Sequence, residues 1–230
     1  MSLAVVSLSG GMDSCVTASI VQRDGHELAL LHVDYGQLTE TRERVAFERI
    51  ADYFDVPPAR RLVVPMHTLK LIGGSSLTDT AIPLEKGDLD RKGIPTSYVP
   101  FRNAHLLAAC VSWAEVIMAR HIFVGFVESD SSGYPDCRKT FLQAFQIAAD
   151  EGTPPETKIS INAPLIDKTK AEIIKIGMSI NAPLHLTWSC YSSETLACGV
   201  CDSCLLRLRG FEQAGFSDPV LYEKCLEAGR

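Results

Sequence analysis

The chain has 230 residues, 22% of them charged and 46% hydrophobic, and a formal net charge of −6, which fits one α/β-sized globular unit and excludes a disordered chain. The acidic balance lacks the broad basic surface that contact with a long nucleic acid demands, so a small-molecule substrate and no stable nucleic-acid partner are expected. Met1 leads almost at once into an apolar strand without a basic leader, and no apolar run reaches bilayer length, so a cytoplasmic protein with no membrane partner is expected.

In chain order, the run at residues 4–8 is short, apolar and not alternating, which predicts a strand buried on both faces. A helix is predicted over 12–23, a second strand over 28–33, a second helix over 39–53 and a third strand over 62–64. Residues 73–97 mix Gly, Ser, Asp, Lys and Pro, too long for a routine connection, and read either as a lid over a site or as a disordered surface loop. An apolar central helix over 104–120 and a strand over 122–126 follow. Beyond them come helical character at 137–150, a short strand at 159–161 and a helix at 169–177 stopped by Gly177. Strand then helix, repeated, predicts an α/β fold with a doubly wound, mostly parallel, Rossmann-like sheet. From residue 188 the composition turns to Cys, Ser and Gly, ahead of a Leu- and Arg-rich helix at 205–214. The expected division is an α/β domain over 1–186 and a small C-terminal module over 187–230.

Ser9-Gly10-Gly11-Met12-Asp13-Ser14 lies between the first strand, ending at Leu8, and the first helix. Such a turn gathers backbone N–H groups and the positive end of a helix dipole at one point, a ready anion site. Glycines let the backbone approach phosphate oxygens, and Ser9 and Ser14 add hydroxyls. Asp13 repels phosphate unless a cation bridges them, so its presence argues for Mg²⁺. The alternative is a plain strand–turn–helix whose glycines serve packing. No lysine follows the glycines and G-x-G-x-x-G is absent, which disfavours kinase and dehydrogenase readings.

Four of eight cysteines, Cys190, Cys198, Cys201 and Cys204, are spaced C-x7-C-x2-C-x2-C. Four thiolates with no histidine among them leave no open position on tetrahedral Zn²⁺, so a structural zinc site is expected. A C-x2-C-x2-C run also occurs in iron–sulfur proteins, but there the fourth cysteine lies downstream, whereas here it lies upstream.

The loop S-G-G-x-D-S resembles that of the ATP pyrophosphatase superfamily, which implies an adenine nucleotide alpha hydrolase-like fold, use of ATP with cleavage between its α and β phosphates, and adenylation of a substrate oxygen. Joined to Val33-Asp34-Tyr35-Gly36-Gln37, Tyr98-Val99-Pro100-Phe101-Arg102-Asn103, Ser132-Gly133-Tyr134-Pro135-Asp136-Cys137-Arg138 and the cysteine pattern after Trp188-Ser189-Cys190, it resembles the 7-cyano-7-deazaguanine synthase family from residue 4 to about residue 210. Phe101, where a small residue is common, and Leu38-Thr39-Glu40 depart from the family pattern without touching the loop or the cysteines.

This resemblance implies conversion of 7-carboxy-7-deazaguanine and ammonia to the 7-cyano compound with two ATP per turnover. It implies Leu8 through Ser14 as the nucleotide and Mg²⁺ loop, with Asp13, Arg102 and Lys170 in catalysis. Substrate binding is expected at Arg102, Asn103, Tyr134, Asp136 and Arg138, and a homodimer is the expected assembly. For Lys170 and Asp136 a surface or helix-capping role competes, and for Tyr134 a packed turn. His32, His105 and His121 are read as core, helix-start and strand-end residues rather than ligands. Competing functions are a tRNA-thiolating or amidating member of the superfamily and a non-catalytic zinc module that binds nucleotide. A glutamine-dependent amidotransferase is disfavoured, because the chain has no room for a glutaminase domain.

Overall fold

The computed structural model describes residues 2–128 and 133–223. Ser132, Cys225 and residues 224–230 of the expected C-terminal module therefore lie outside the described residues. The chain runs through strand β1 (Leu3–Ser7), helix α1 (Met12–Arg23), strand β2 (Glu27–Asp34), helix α2 (Glu40–Tyr53), strand β3 (Arg61–Pro65) and helix α3 (Thr68–Ile72). It continues with helix α4 (Arg102–Val116), strand β4 (His121–Val124), helix α5 (Lys139–Gly152), strand β5 (Ser160–Asn162), helix α6 (Lys170–Ser179) and helix α7 (Asp202–Ala214).

All strand pairs are parallel and the sheet order is β3-β2-β1-β4-β5, the doubly wound arrangement expected. The winding reverses between β1 and β4, so the crevice beyond their C-terminal ends is where such a sheet binds ligands. Strand β1 shows why its sequence does not alternate. Val5 joins one apolar cluster with Leu31, Leu107 and Ile122, while Ala4 and Val6 join another with Leu30, Phe47 and Ile50. Both faces are dry, so both parities must be apolar.

Several boundaries differ from the sequence expectation for local reasons. Helix α4 ends at Val116 rather than at 120, because Met118 turns left-handed at φ 57° and Ala119 N–H closes onto the Ala114 carbonyl at 2.9 Å. Gly177 does not stop its helix. It lies within α6, where an added Cβ would sit 2.9 Å from Val16 Cγ2, so the glycine serves close packing of α6 on α1, and the chain turns at Asn181 with φ 55°. Strand β4 stops at Val124, and a Cβ on Gly125 would fall 2.7 Å from the Ser14 nitrogen, so the first turn of α1 rests on the end of β4. Helix α5 begins at Lys139, two residues after the one-turn segment Pro135–Cys137. Helix α3 has five residues, too few to show a helical period in sequence.

Residues 73–97 are neither helical nor loose. Ser75, Ser76, Leu77 and Thr78 are buried, and Leu38 N–H bonds the Leu77 carbonyl at 2.9 Å. Farther along, Gly87 N–H bonds the Val200 carbonyl at 2.8 Å, Asp88 N–H bonds Asp202 Oδ1 at 2.8 Å, and Arg91 pairs with Asp202 Oδ2 at 2.7 Å. The disordered-loop reading is thereby excluded: the segment is a strap fixed to the start of α7. Helix α7 packs on α6, and Gly210 permits the approach, since its Cβ would meet Lys170 Cβ at 2.7 Å. Among the described residues, no helix is long and apolar enough to cross a membrane.

Candidate active site

A cavity of about 240 Å³ opens beyond the C-terminal ends of β1 and β4. Its floor is the loop after β1. Ser9 and Ser14 hydroxyls lie 3.1 Å apart, Gly11 N–H donates to Ser9 Oγ at 3.2 Å, and Ser14 Oγ donates to the Gly11 carbonyl at 3.0 Å. The loop is thus shaped by its own side chains before any ligand enters. Leu8, Ser9, Gly11, Met12, Asp13 and Ser14 face the cavity. Gly10 lies behind them, at φ 85°, where a Cβ would strike the Glu43 carbonyl at 2.7 Å. Only glycine satisfies both the positive φ and that contact.

On one side Lys170, at the first position of α6 behind a Thr169–Glu172 capping box, sends its ammonium to within 2.6 Å of Asp13 Oδ2. Asp13 Oδ1 is buried without a hydrogen-bond partner. A carboxylate oxygen so placed, beside backbone and hydroxyl donors suited to phosphate, fits a bound divalent cation. Opposite, Arg102 opens α4. Its Nη1 donates to the Tyr35 hydroxyl at 3.2 Å, and its guanidinium carbon lies 5.4 Å from the Tyr35 ring and 5.8 Å from the Tyr134 ring. Tyr134 is buried, with its hydroxyl 2.9 Å from Ser97 Oγ at the end of the strap.

Not every expected site residue reaches this space. Asn103 does, but Asp136 and Arg138 are absent from the cavity wall. Asp136 is 3% exposed and accepts the Asn103 N–H through Oδ2 at 2.9 Å, the helix-capping role that competed for it, while its Oδ1 stays buried without a partner. Arg138 is exposed at the start of α5. Cys137 does line the cavity, but burial first, against Arg102, pushes its thiol up to about 11, so it stays protonated and a poor nucleophile near neutral pH. His32 lines the cavity too, with Nδ1 2.9 Å from the Leu8 carbonyl, while Nε2 faces Asp34 Oδ1 at 3.0 Å, within ion-pair range but without hydrogen-bond geometry.

Residues that sequence reasoning did not single out individually complete the walls. Glu43 enters from the first turn of α2, and Trp188, Ser189, Tyr191 and Arg207 enter from the C-terminal region. The string Trp188 to Cys190 carried the signal for Trp188 and Ser189 without giving either side chain a direction, while Glu43, Tyr191 and Arg207 lie outside every quoted string.

Near the cavity, Cys190, Cys198, Cys201 and Cys204 bring their sulfurs within 4.8 Å of one another. Four sulfurs about 2.3 Å from one tetrahedral ion would be about 3.8 Å apart, and the Cys198 and Cys204 sulfurs lie 3.9 Å apart. Backbone N–H groups of Ser192 and Cys198 point at Cys190 Sγ at 3.5 and 3.4 Å, and Val200 N–H at Cys198 Sγ at 3.5 Å. Such donors stabilise thiolates around a metal.

A family model described as "Queuosine biosynthesis protein QueC" matches residues 3–215. The chain is 57% identical to the 7-cyano-7-deazaguanine synthase of Chlorobium phaeobacteroides over 96% of this chain and 97% of that protein. It is 56% identical to the enzyme of that name from Chloroherpeton thalassium, over 96% of both, and 54% identical to that from Chlorobaculum parvum, over 96% of both. Agreement of this depth across nearly the whole length bears out the resemblance carried by the motifs, and the chain belongs to the QueC family of queuosine biosynthesis proteins.

Proposed function

We propose that the chain converts 7-carboxy-7-deazaguanine, ammonia and two ATP into 7-cyano-7-deazaguanine, two AMP and two pyrophosphates. The observation that supports it most is the arrangement across the cavity: a self-ordered phosphate loop with Asp13 and Lys170 on one side, and Arg102 between two tyrosines on the other. A carboxylate is a poor acceptor for ammonia because oxide is a bad leaving group. Adenylation supplies AMP as the leaving group, ammonia displaces it to give the amide, and adenylation of the amide oxygen prepares loss of AMP to the nitrile. Positioning and charge stabilisation dominate such transfers.

In this reading the loop from Leu8 to Ser14 holds the β and γ phosphates, and Asp13 holds Mg²⁺, which would neutralise phosphate charge. Lys170 faces the developing negative charge. Arg102 takes the substrate carboxylate, Asn103 lies beside it, and Tyr134 offers its ring to the deazaguanine. Arg102 is preferred to Arg138 because only Arg102 faces the cavity. Cys190, Cys198, Cys201 and Cys204 hold a structural Zn²⁺ within a C-terminal module spanning 187–230, beside the nucleotide-handling domain over 1–186. The enzyme works in the cytoplasm as a homodimer.

The deciding experiment incubates the protein with ATP, Mg²⁺, ammonia and the carboxy substrate and weighs the product. A nitrile mass with two AMP per product is expected. A product halted at the amide, or none, counts against the reading. Elemental analysis of the purified protein should find about one zinc per chain, and that zinc should leave with thiol-reactive reagents. A visible absorption band with stoichiometric iron would overturn the zinc assignment.

A further inference from the structure

Ammonia brings three N–H protons and the nitrile nitrogen keeps none, so in the reaction proposed above, on which this inference rests, the site must strip a proton from nitrogen three times per turnover. In amide formation the C–N bond forms, the acyl C–O bond to AMP breaks with its electron pair, and one proton leaves nitrogen. After the amide oxygen is adenylated, two more protons leave as the remaining N–H electron pairs build the triple bond and the C–O pair departs with AMP.

Among the described residues lining the cavity, the carboxylates are Asp13 and Glu43. Asp13 is held by Lys170 at 2.6 Å. The Cys137 thiol, the Tyr35 hydroxyl donated to by Arg102, and His32, whose Nδ1 meets the Leu8 carbonyl and whose Nε2 is turned to the Asp34 carboxylate at 3.0 Å, are poorly placed to take a substrate proton. We propose that the Glu43 carboxylate is the group that takes protons from the substrate nitrogen, and that Thr39 and Gln37 aim it.

The geometry is specific. The Glu43 backbone carbonyl lies against Gly10, and Glu43 lines the cavity together with the phosphate loop. Thr39 Oγ1 donates to Oε1 at 2.8 Å and Gln37 Nε2 donates to Oε2 at 3.0 Å. Gln37 is itself fixed, its Oε1 accepting the Tyr35 N–H at 3.0 Å. One donor per carboxylate oxygen fixes the group's plane and leaves each oxygen a further lone pair for an incoming proton. This gives the Tyr35-Gly36-Gln37 turn a purpose: it is the clamp that orients the base. Burial raises the Glu43 carboxyl above its ordinary value against Thr39, His32 and Gln37, which makes the carboxylate a better acceptor. Departing AMP or water then carries the proton away.

The test uses full-length Glu43→Gln and Glu43→Asp with two assays: a single-turnover pyrophosphate burst from the carboxy substrate without ammonia, and nitrile formation from the amide with ATP. Glu43→Gln is expected to keep its burst within about threefold of the parent yet lose about 100-fold or more in nitrile formation. It should also lose the acidic limb of the pH–rate profile, and Glu43→Asp should restore that limb with part of the rate. Nitrile formation within about threefold of the parent in Glu43→Gln overturns the assignment, as does an equal loss of the burst, which would mark a structural role. A parent enzyme giving no burst would instead sink the reaction itself, and this role with it.

Discussion

Asp13→Asn should lower pyrophosphate release by about 1,000-fold while the protein melts within a few degrees of the parent. The side chain sits in the first turn of α1, one oxygen 2.6 Å from the Lys170 ammonium and the other buried with no partner. A carboxylate in the first turn of a helix is worth roughly 0.3–1 kcal/mol through the dipole. If that were the whole role, asparagine would cost a little stability and no turnover. A phosphate-binding loop that carries a negative side chain is, however, self-defeating unless a cation joins the two, and the partnerless Oδ1 is where that cation would be held. Asparagine keeps an acceptor for Lys170 and nearly the same shape, so the charge alone is removed. Pyrophosphate release measured across a Mg²⁺ titration, beside a thermal melt, separates the cases. Turnover above a tenth of the parent's would remove the cation role.

The parts legible in the sequence are those fixed by neighbours along the chain. The central strands announced themselves because both faces of β1 and β2 are dry, the phosphate loop because a strand, two glycines and a helix start are consecutive, and the cysteines because short spacings converge. What stayed hidden is set by distant contacts. Gly177 reads as a stop signal, and Gly125 and Gly210 fall inside a predicted strand and a predicted helix, yet at each an added Cβ would collide with another element. Asp136 lies in a string that resembles a substrate motif but spends its carboxylate on the N-terminus of α4. Glu43 lies in a predicted helix whose sequence marks no site, and only the fold brings it beside Gly10 at the cavity. The wall formed by Trp188, Ser189 and Tyr191 meets a loop some 180 positions earlier, and Trp188 N–H bonds the Gly10 carbonyl at 2.8 Å. No local pattern encodes such a contact.

Arg207→Met should cost about 3–5 kcal/mol of stability, because it strands a buried charge. Arg207 is 2% exposed. It grips Asp218 with two bonds, Nε to Oδ2 at 2.7 Å and Nη2 to Oδ1 at 2.9 Å, and reaches the Thr187 hydroxyl at 2.7 Å and the Leu184 carbonyl at 3.3 Å. One guanidinium therefore ties α7 to the segment carrying Trp188 and Ser189 and to the chain at 218–222. That last stretch braces the cysteine loop, since Tyr222 donates to Asp218 at 2.6 Å and Ala197 N–H bonds the Leu221 carbonyl at 2.9 Å. Methionine fills much of the volume but leaves the Asp218 carboxylate, with 5% of its side chain exposed, without its cation. At this chain length the loss corresponds to roughly 6–20 °C in Tm. Adding Asp218→Asn removes the stranded charge, keeps one acceptor oxygen for the Val220 N–H and turns an amide N–H toward the Tyr222 hydroxyl, which can accept it, so the double variant should regain about half of the loss. Urea unfolding of both variants measures the difference, and a loss below about 1 kcal/mol for Arg207→Met would show that the ion pair does not hold the cavity wall to the cysteine loop.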